Sequence, residues 1–176
     1  MRTLRALLAV FALFVATSMV AAFAASDANL TFTGDILQPT CTVDSTTANQ
    51  TIALGSVPIS NFANVGSTAN PRPFNIGLLN CSPNATVNMT VGGTMDTVPT
   101  VLQNTGTATQ VGVQLLLAGS VGGTTGTPIT LNSTINLGVV NASNAMTVPF
   151  VAQFYRLGTM TAGTVTATAT VNFTYY

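Results

Sequence analysis

Toward the end of the chain an apolar side chain stands at every second position, Val165, Ala167, Ala169, Val171, Phe173 and Tyr175, with threonines and Asn172 between them. Side chains on a strand alternate between two faces, so this spacing puts the apolar set on one face and the hydroxyls and amide on the other. The pattern is that of a strand with one buried face. Chain ends fray unless they are tied down, so a strand this regular running to Tyr176 has to be held by something.

The same alternation recurs along the chain and predicts strands over residues 29–38, 41–43, 51–54, 74–81, 86–91, 98–102, 110–117, 129–131, 134–140, 147–157 and 165–176. Turn chemistry separates them: Pro39, Gly55, Asn70-Pro71, Ser82-Pro83-Asn84, Gly92-Gly93, Asn104 with Gly106, and the glycine-rich stretches 119–126 and 158–163. No window carries a sustained helical period. Many short strands at this spacing predict an all-β sandwich of immunoglobulin-like architecture.

At the other end, Arg2 and Arg5 precede a nearly unbroken apolar run over 6–23 that closes on Ala22-Phe23-Ala24. A basic start, an apolar middle and a small-residue close describe a secretory signal peptide, read here as residues 1–24 and removed on export. No other segment is apolar enough to span a bilayer. The remaining residues, 25–176, make one ordinary domain with enough chain for a core.

What is left carries two arginines, Arg72 and Arg156, against Asp27, Asp35, Asp44 and Asp96, and no lysine. Without a basic cluster, nucleic acid and anionic membrane surfaces are poor partners. The absence of His, Lys and Glu removes the usual general bases, so the chain reads as a non-enzyme with no catalytic residues. Its scattered aspartates form neither a calcium loop nor a carboxylate pair, and no metal, cofactor or small-molecule substrate is expected. Gly119 to Gly123 has glycines like a phosphate loop but neither its lysine nor its spacing, and reads as a flexible hairpin loop. Cys41 and Cys81 are the only cysteines; in an exported chain they most simply form one disulfide, and a metal site would need further ligands.

Ahead of Cys41 the alternation puts Ala28, Leu30, Phe32, Gly34 and Ile36 on one face and Asn29, Thr31, Thr33 and Asp35 on the other, until Pro39 stops it. From pattern alone this is either an ordinary first strand or a detachable arm.

Here the chain resembles the pilin subunits of bacterial chaperone–usher fimbriae of the type 1 kind. The resemblance rests on an ordered set: Phe32-Thr33-Gly34-Asp35-Ile36 before Cys41-Thr42-Val43, then Leu54-Gly55, then the run from Phe74 to Cys81. Val111 to Leu116, Pro149 to Tyr155, Thr161-Ala162-Gly163 and the alternating last strand with its penultimate Tyr175 complete it. The resemblance implies an incomplete immunoglobulin-like β-sandwich, the pilin fold, over residues 41–176. It lacks its last strand and is completed by a donor strand from a neighbouring subunit. Residues 25–40 would be the N-terminal donor-strand arm, with Ala28, Leu30, Phe32, Gly34 and Ile36 inserting. Gly163, Val165, Ala167, Ala169, Val171, Phe173, Tyr175 and Tyr176 would form the acceptor edge. A periplasmic pilus chaperone would hold that edge first, anchoring the carboxylate of Tyr176, and an outer-membrane usher would exchange it for the arm of another fimbrial subunit. The implied function is a structural subunit that polymerises by donor-strand exchange into a cell-surface fimbrium and contributes to cell adhesion. The rival reading is a self-contained secreted β-sandwich that binds a carbohydrate or a host protein.

Overall fold

The computed structural model describes residues 30–36 and 40–176. The stretch read as a signal peptide, Ala28 and residues 37–39 lie outside the described residues. The chain divides into two units, Met1–Ile36 and Leu37–Tyr176. In the first, residues 30–36 carry neither helix nor ladder, and Leu30, Phe32 and Ile36 are 76%, 89% and 102% exposed. The strand expected over 29–38 is therefore not paired within its own chain among the described residues.

The second unit is built of strands β1 (Thr42–Val43), β2 (Thr68–Leu79), β3 (Thr86–Gly92), β4 (Val101–Leu102), β5 (Thr109–Ala118), β6 (Gly126–Pro128), β7 (Thr134–Val139), β8 (Met146–Thr161) and β9 (Thr170–Tyr175). One sheet has the order β1-β2-β8-β5-β4 with β6 also on β5, and the other the order β7-β3-β9. Every pairing is antiparallel. The two sheets bury their apolar faces on each other. Leu78, Val148 and Phe150 of the larger sheet and Val87, Met89 and Val91 of the smaller are at most 2% exposed. Phe74 stacks on Phe150 with ring centroids 5.1 Å apart. The opposite face of the larger sheet holds a buried amide pair, Gln153 donating to Gln114 at 2.9 Å and Gln114 to Thr100 at 2.9 Å. Each amide thus has a partner, which is what makes its burial tolerable.

Departures from the sequence reading have local causes. A one-turn helix α1 (Ser45–Ala48) follows Asp44, whose carboxylate accepts from the Thr46 backbone at 2.9 Å. One turn is too short to show a period. The Asn70-Pro71 pair read as a turn lies inside β2, at an irregularity between Ala69 and Arg72 where Asn70 takes a φ of 51°. A bulge accepts a proline and a left-handed asparagine as readily as a turn does. Gly158, also read as a turn, sits within β8, facing the bulge in β5 where Gln110 takes a φ of 58°. Residues 129–131 are not a strand; β6 precedes them, although Ile129 and Leu131 are buried as their pattern implies. Of 98–102 only β4 joins the sheet, since Val101 closes a turn back onto the Val98 carbonyl at 3.0 Å.

Cys41 and Cys81 are bonded, tying the segment ahead of β1 to the end of β2 across 40 residues. Closing such a loop restricts the unfolded chain by about 4 kcal/mol on the entropy model. Replacing both cysteines by alanine is expected to lower the melting temperature by roughly 12 °C, read by circular dichroism. An unchanged transition would show that the bridge does not stabilise this fold.

Candidate functional site: an open groove beside the last strand

The edge that the resemblance implies falls in two parts. β9 pairs with β3, matching Val171 to Val91, Phe173 to Met89 and Tyr175 to Val87. Ahead of it, residues 164–169 are extended but lie outside the sheet, so the strand expected over 165–176 is regular only from Thr170. Residues 164–166 are fastened instead to the 104–108 loop. Ala108 donates to the Thr164 carbonyl at 3.0 Å and Thr105 to the Thr166 carbonyl at 2.8 Å, while Asn104 accepts from the Thr166 backbone at 2.8 Å. Gly163 is the corner of this junction: a Cβ there would run into the backbone of Thr107 and Ala108, so only glycine lets the two segments approach this closely.

Parity then decides which groups are left open. Tyr176 and Thr86 exchange both backbone bonds, at 3.0 and 2.9 Å. In an antiparallel ladder such doubly bonded pairs recur every second residue, so the even-numbered residues of β9 turn their N–H and C=O toward β3. Thr164 and Thr166 turn theirs toward the 104–108 loop in the same way. The backbone groups of Val165, Ala167, Ala169, Val171, Phe173 and Tyr175 face the other side, where no strand stands among the described residues. An unpaired row of this kind is a template for another strand.

The side chains of those same residues point into the sandwich, yet they are not sealed there. Val87, Met89 and Val91 are each 0% exposed, while their cross-strand partners Tyr175, Phe173 and Val171 are only half-buried, and Ala169 is exposed. Both members of a cross-strand pair share a face. The missing cover is therefore confined to the β9 side. Burial pushes the Tyr175 phenol above its ordinary pKa, so the groove favours its neutral form.

Facing this edge is a second lip, residues 50–58. It is extended with Ile52, Leu54 and Val57 half-buried, but the strand expected over 51–54 does not form because no ladder reaches it. Side chains of β2 and of the lip itself fix it: Asn70 donates to the carbonyls of Leu54 and Ser56 at 3.1 and 3.2 Å, and Gln50 to that of Asn75 at 2.9 Å. Between the two lips runs a groove of about 1260 Å³. Its floor is apolar and includes Phe74, Ile76, Val113, Leu115, Ala152 and Phe154 of the larger sheet. A concave apolar floor flanked by open backbone donors and acceptors can take an extended peptide with alternate apolar side chains.

The structure thus brings Gly163, Val165, Ala167, Ala169, Val171, Phe173 and Tyr175 to one edge, with Tyr176 exposed at its end. Leu30, Phe32, Gly34 and Ile36 belong to the other unit, and nothing lies within 4 Å of where a Gly34 Cβ would stand. Sequence reasoning had no signal for Asn70 and Gln50 as the fasteners of the lip. Among the described residues there is no cluster of potential metal ligands, and no helix is long and apolar enough to cross a membrane.

Residues 30–176 match a family model described as "Fimbrial protein". The chain is 30% identical over 167 residues to the type-1 fimbrial protein A chain of Escherichia coli strain K12, covering 90% of this chain and 88% of that one. Among solved structures, it is similar to the P pilus rod subunit PapA with a TM-score of 0.62 and 18% identity, over 77% of this chain and 99% of that one. It is likewise similar to a subunit in the structure of a chaperone–usher pilus, with a TM-score of 0.60 and 19% identity, over 86% and 96% of the two chains. These two structural likenesses speak for the fold, an immunoglobulin-like sandwich short of one strand.

Proposed function

The chain belongs to the fimbrial protein family of bacterial chaperone–usher pili, and on that premise we propose that it polymerises by donor-strand exchange. It is a structural pilus subunit that associates with other fimbrial subunits, and its likeness to fimbrial relatives supports assigning it to surface fimbriae. In our reading residues 25–40 are the donor arm and residues 41–176 the acceptor domain. The arm of one subunit enters the groove of the next, with Ala28, Leu30, Phe32, Gly34 and Ile36 facing the floor. Its backbone completes the ladder that Val165, Ala167, Ala169, Val171, Phe173 and Tyr175 leave open. Before assembly a periplasmic chaperone supplies a strand to the same edge, and an outer-membrane usher presides over the exchange. The fimbrium so built contributes to adhesion, and we assign the subunit no reaction.

One observation carries this reading: the sealed half of each β3–β9 pair stands against a half-exposed partner, beside an apolar groove, in a chain whose residues 30–36 keep three large apolar side chains in solvent. An unfilled groove and an unpaired arm are complementary defects, and each costs stability or solubility until the other fills it. Deleting residues 25–38 tests it. The truncated subunit is expected to reach the periplasm and be captured there by the chaperone, yet fail to join the subunit ahead of it, as seen by electron microscopy and by pull-down. A truncated subunit that unfolds with or without the chaperone would instead make those residues an ordinary strand of the sandwich.

A further inference from the structure

The floor of the groove is apolar, but its surroundings are not electrically symmetric. Arg72 and Arg156 are the cations of the acceptor domain. Arg156 is occupied by three carbonyls, those of Gly158 at 2.9 Å, Phe62 at 2.8 Å and Ala63 at 3.2 Å. Arg72 is exposed. Its place in the ladder is opposite Ala152, a floor residue, so it rises from the floor side of β2 at the bulge that carries Asn70. From there its guanidinium reaches the lip: a Cβ built on Gly55 would stand 3.4 Å from Nη2. Asp44 is bonded opposite Gly77, which turns away from the floor residue Ile76, so its carboxylate lies on the outer face of the larger sheet, away from the groove. Hydrogen bonds from Thr46 hold its carboxyl below the usual range, so it is anionic.

The arm has a matching asymmetry. Between Ala28 and Gln38 its one charged residue is Asp35, on the polar face and immediately before Ile36. Once the apolar set is down on the floor, the polar set points up toward the rim. Reversing the arm in the groove moves Asp35 by about 13 Å, four strand residues, which exceeds the ~8 Å over which salt screens exposed charges.

Resting on the donor-strand reading above, we propose that Arg72 is a specificity-determining residue of the groove: it pairs with Asp35 of an incoming arm from a second copy of this chain, or with an acid at the same place in another subunit's arm. The register sets Ile36 over the end of the groove where Val165, Phe154 and Val57 cluster with Phe62, and Leu30 toward Phe173. That places Asp35 beside Gly55 and the Arg72 guanidinium. A reversed arm would carry Asp35 about 13 Å from the Arg72 guanidinium, so the pair favours one polarity over the other. Arms with a neutral residue at this position enter more slowly, and arms with a cation there are repelled.

The test uses the mature subunit isolated from the periplasm and a fluorescent peptide of residues 28–38, blocked at both ends so that Asp35 is its only charge. At low salt, Arg72→Glu is expected to slow capture of this peptide about fivefold, the upper range for an exposed ion pair, and to speed capture of its Asp35→Arg form. Capture of the Asp35→Asn peptide should be insensitive to Arg72→Glu, and all differences should shrink in high salt. Equal effects of Arg72→Glu on capture of the unchanged peptide and of its Asp35→Asn form would overturn the pairing. Should Arg72→Glu fail to fold, unmutated subunit decides the matter alone: capture fastest for the unchanged peptide, slower for Asp35→Asn and slowest for Asp35→Arg supports the pair, and identical capture of all three refutes it. Failure of unmutated subunit to take up any of these peptides, including the unchanged one, would overturn the donor-strand reading itself and this proposal with it.

Discussion

Joined behind Tyr176 through a short turn, a second copy of residues 28–38 is expected to raise the melting temperature of the isolated subunit by roughly 20 °C. A chain that turns back after β9 returns antiparallel to it, alongside the edge where Val171, Phe173 and Tyr175 present unpaired backbone groups. Burying Leu30, Phe32 and Ile36 from the exposure they have in the free arm contributes about 2 kcal/mol each. The same strand would seal Phe173, Val171 and Val165, which the open groove leaves half-buried. Because the appended strand is tethered, the loss of translational freedom that opposes association between subunits does not arise. About 6 kcal/mol at ~3 °C per kcal/mol for a domain of this size gives the stated shift, measured by differential scanning calorimetry. The control is the same extension carrying Phe32→Asp in the appended copy, which should forfeit the gain. An equal rise with both extensions would mean that any tail stabilises the chain, and the groove would lose its meaning as a strand site.

How far the fold was legible depends on what alternation encodes. It reports which face of a segment is apolar, and it does so through Val165, Phe173, Ile52 and Leu54 as faithfully as through Val87 and Phe150. It does not report whether a backbone partner exists. Residues 51–54 and 165–169 therefore read as strands, and in the structure they are extended lips without a ladder. This error is informative, because a strand pattern that finds no partner among the described residues is how an unfinished sheet is written in sequence. Bulges were misread for a different reason. Asn70-Pro71 and Gly158 carry the chemistry of turns, and only the register of β2 and β5 against β8 separates a bulge inside a strand from a turn at its end. The inward face of the last strand and the disulfide pair were legible from the residues. The fastening of the lip by Asn70, and the position of Arg72 over Gly55, depend on that bulge and left no trace in the pattern.

In the native arm, Phe32→Asp is expected to cut surface fibres at least 100-fold while leaving export of the subunit intact. Phe32 is the largest apolar side chain the arm offers, 89% exposed before insertion, and placing it on the floor contributes about 2–3 kcal/mol. A carboxylate in its place loses that gain and must also be buried against the apolar floor residues, at a further cost of several kcal/mol. At ~1.4 kcal/mol per tenfold, the two terms together exceed a hundredfold in the equilibrium for insertion. Thr33→Asp separates this from a general effect of charge. It adds the same carboxylate one residue along, on the face that stays at the rim, and fibre yield should fall by less than about threefold. Fibres sheared from cells and weighed against periplasmic subunit by immunoblot give both quantities from one culture. Equal losses from the two substitutions would mean that the arm has no inward face. Near-normal fibres from Phe32→Asp, with Thr33→Asp also tolerated, would mean that the groove is filled by something other than this arm. A selective loss with Phe32→Asp, with Thr33→Asp tolerated and periplasmic subunit levels unchanged, is the result expected of complementary insertion of one subunit into the next.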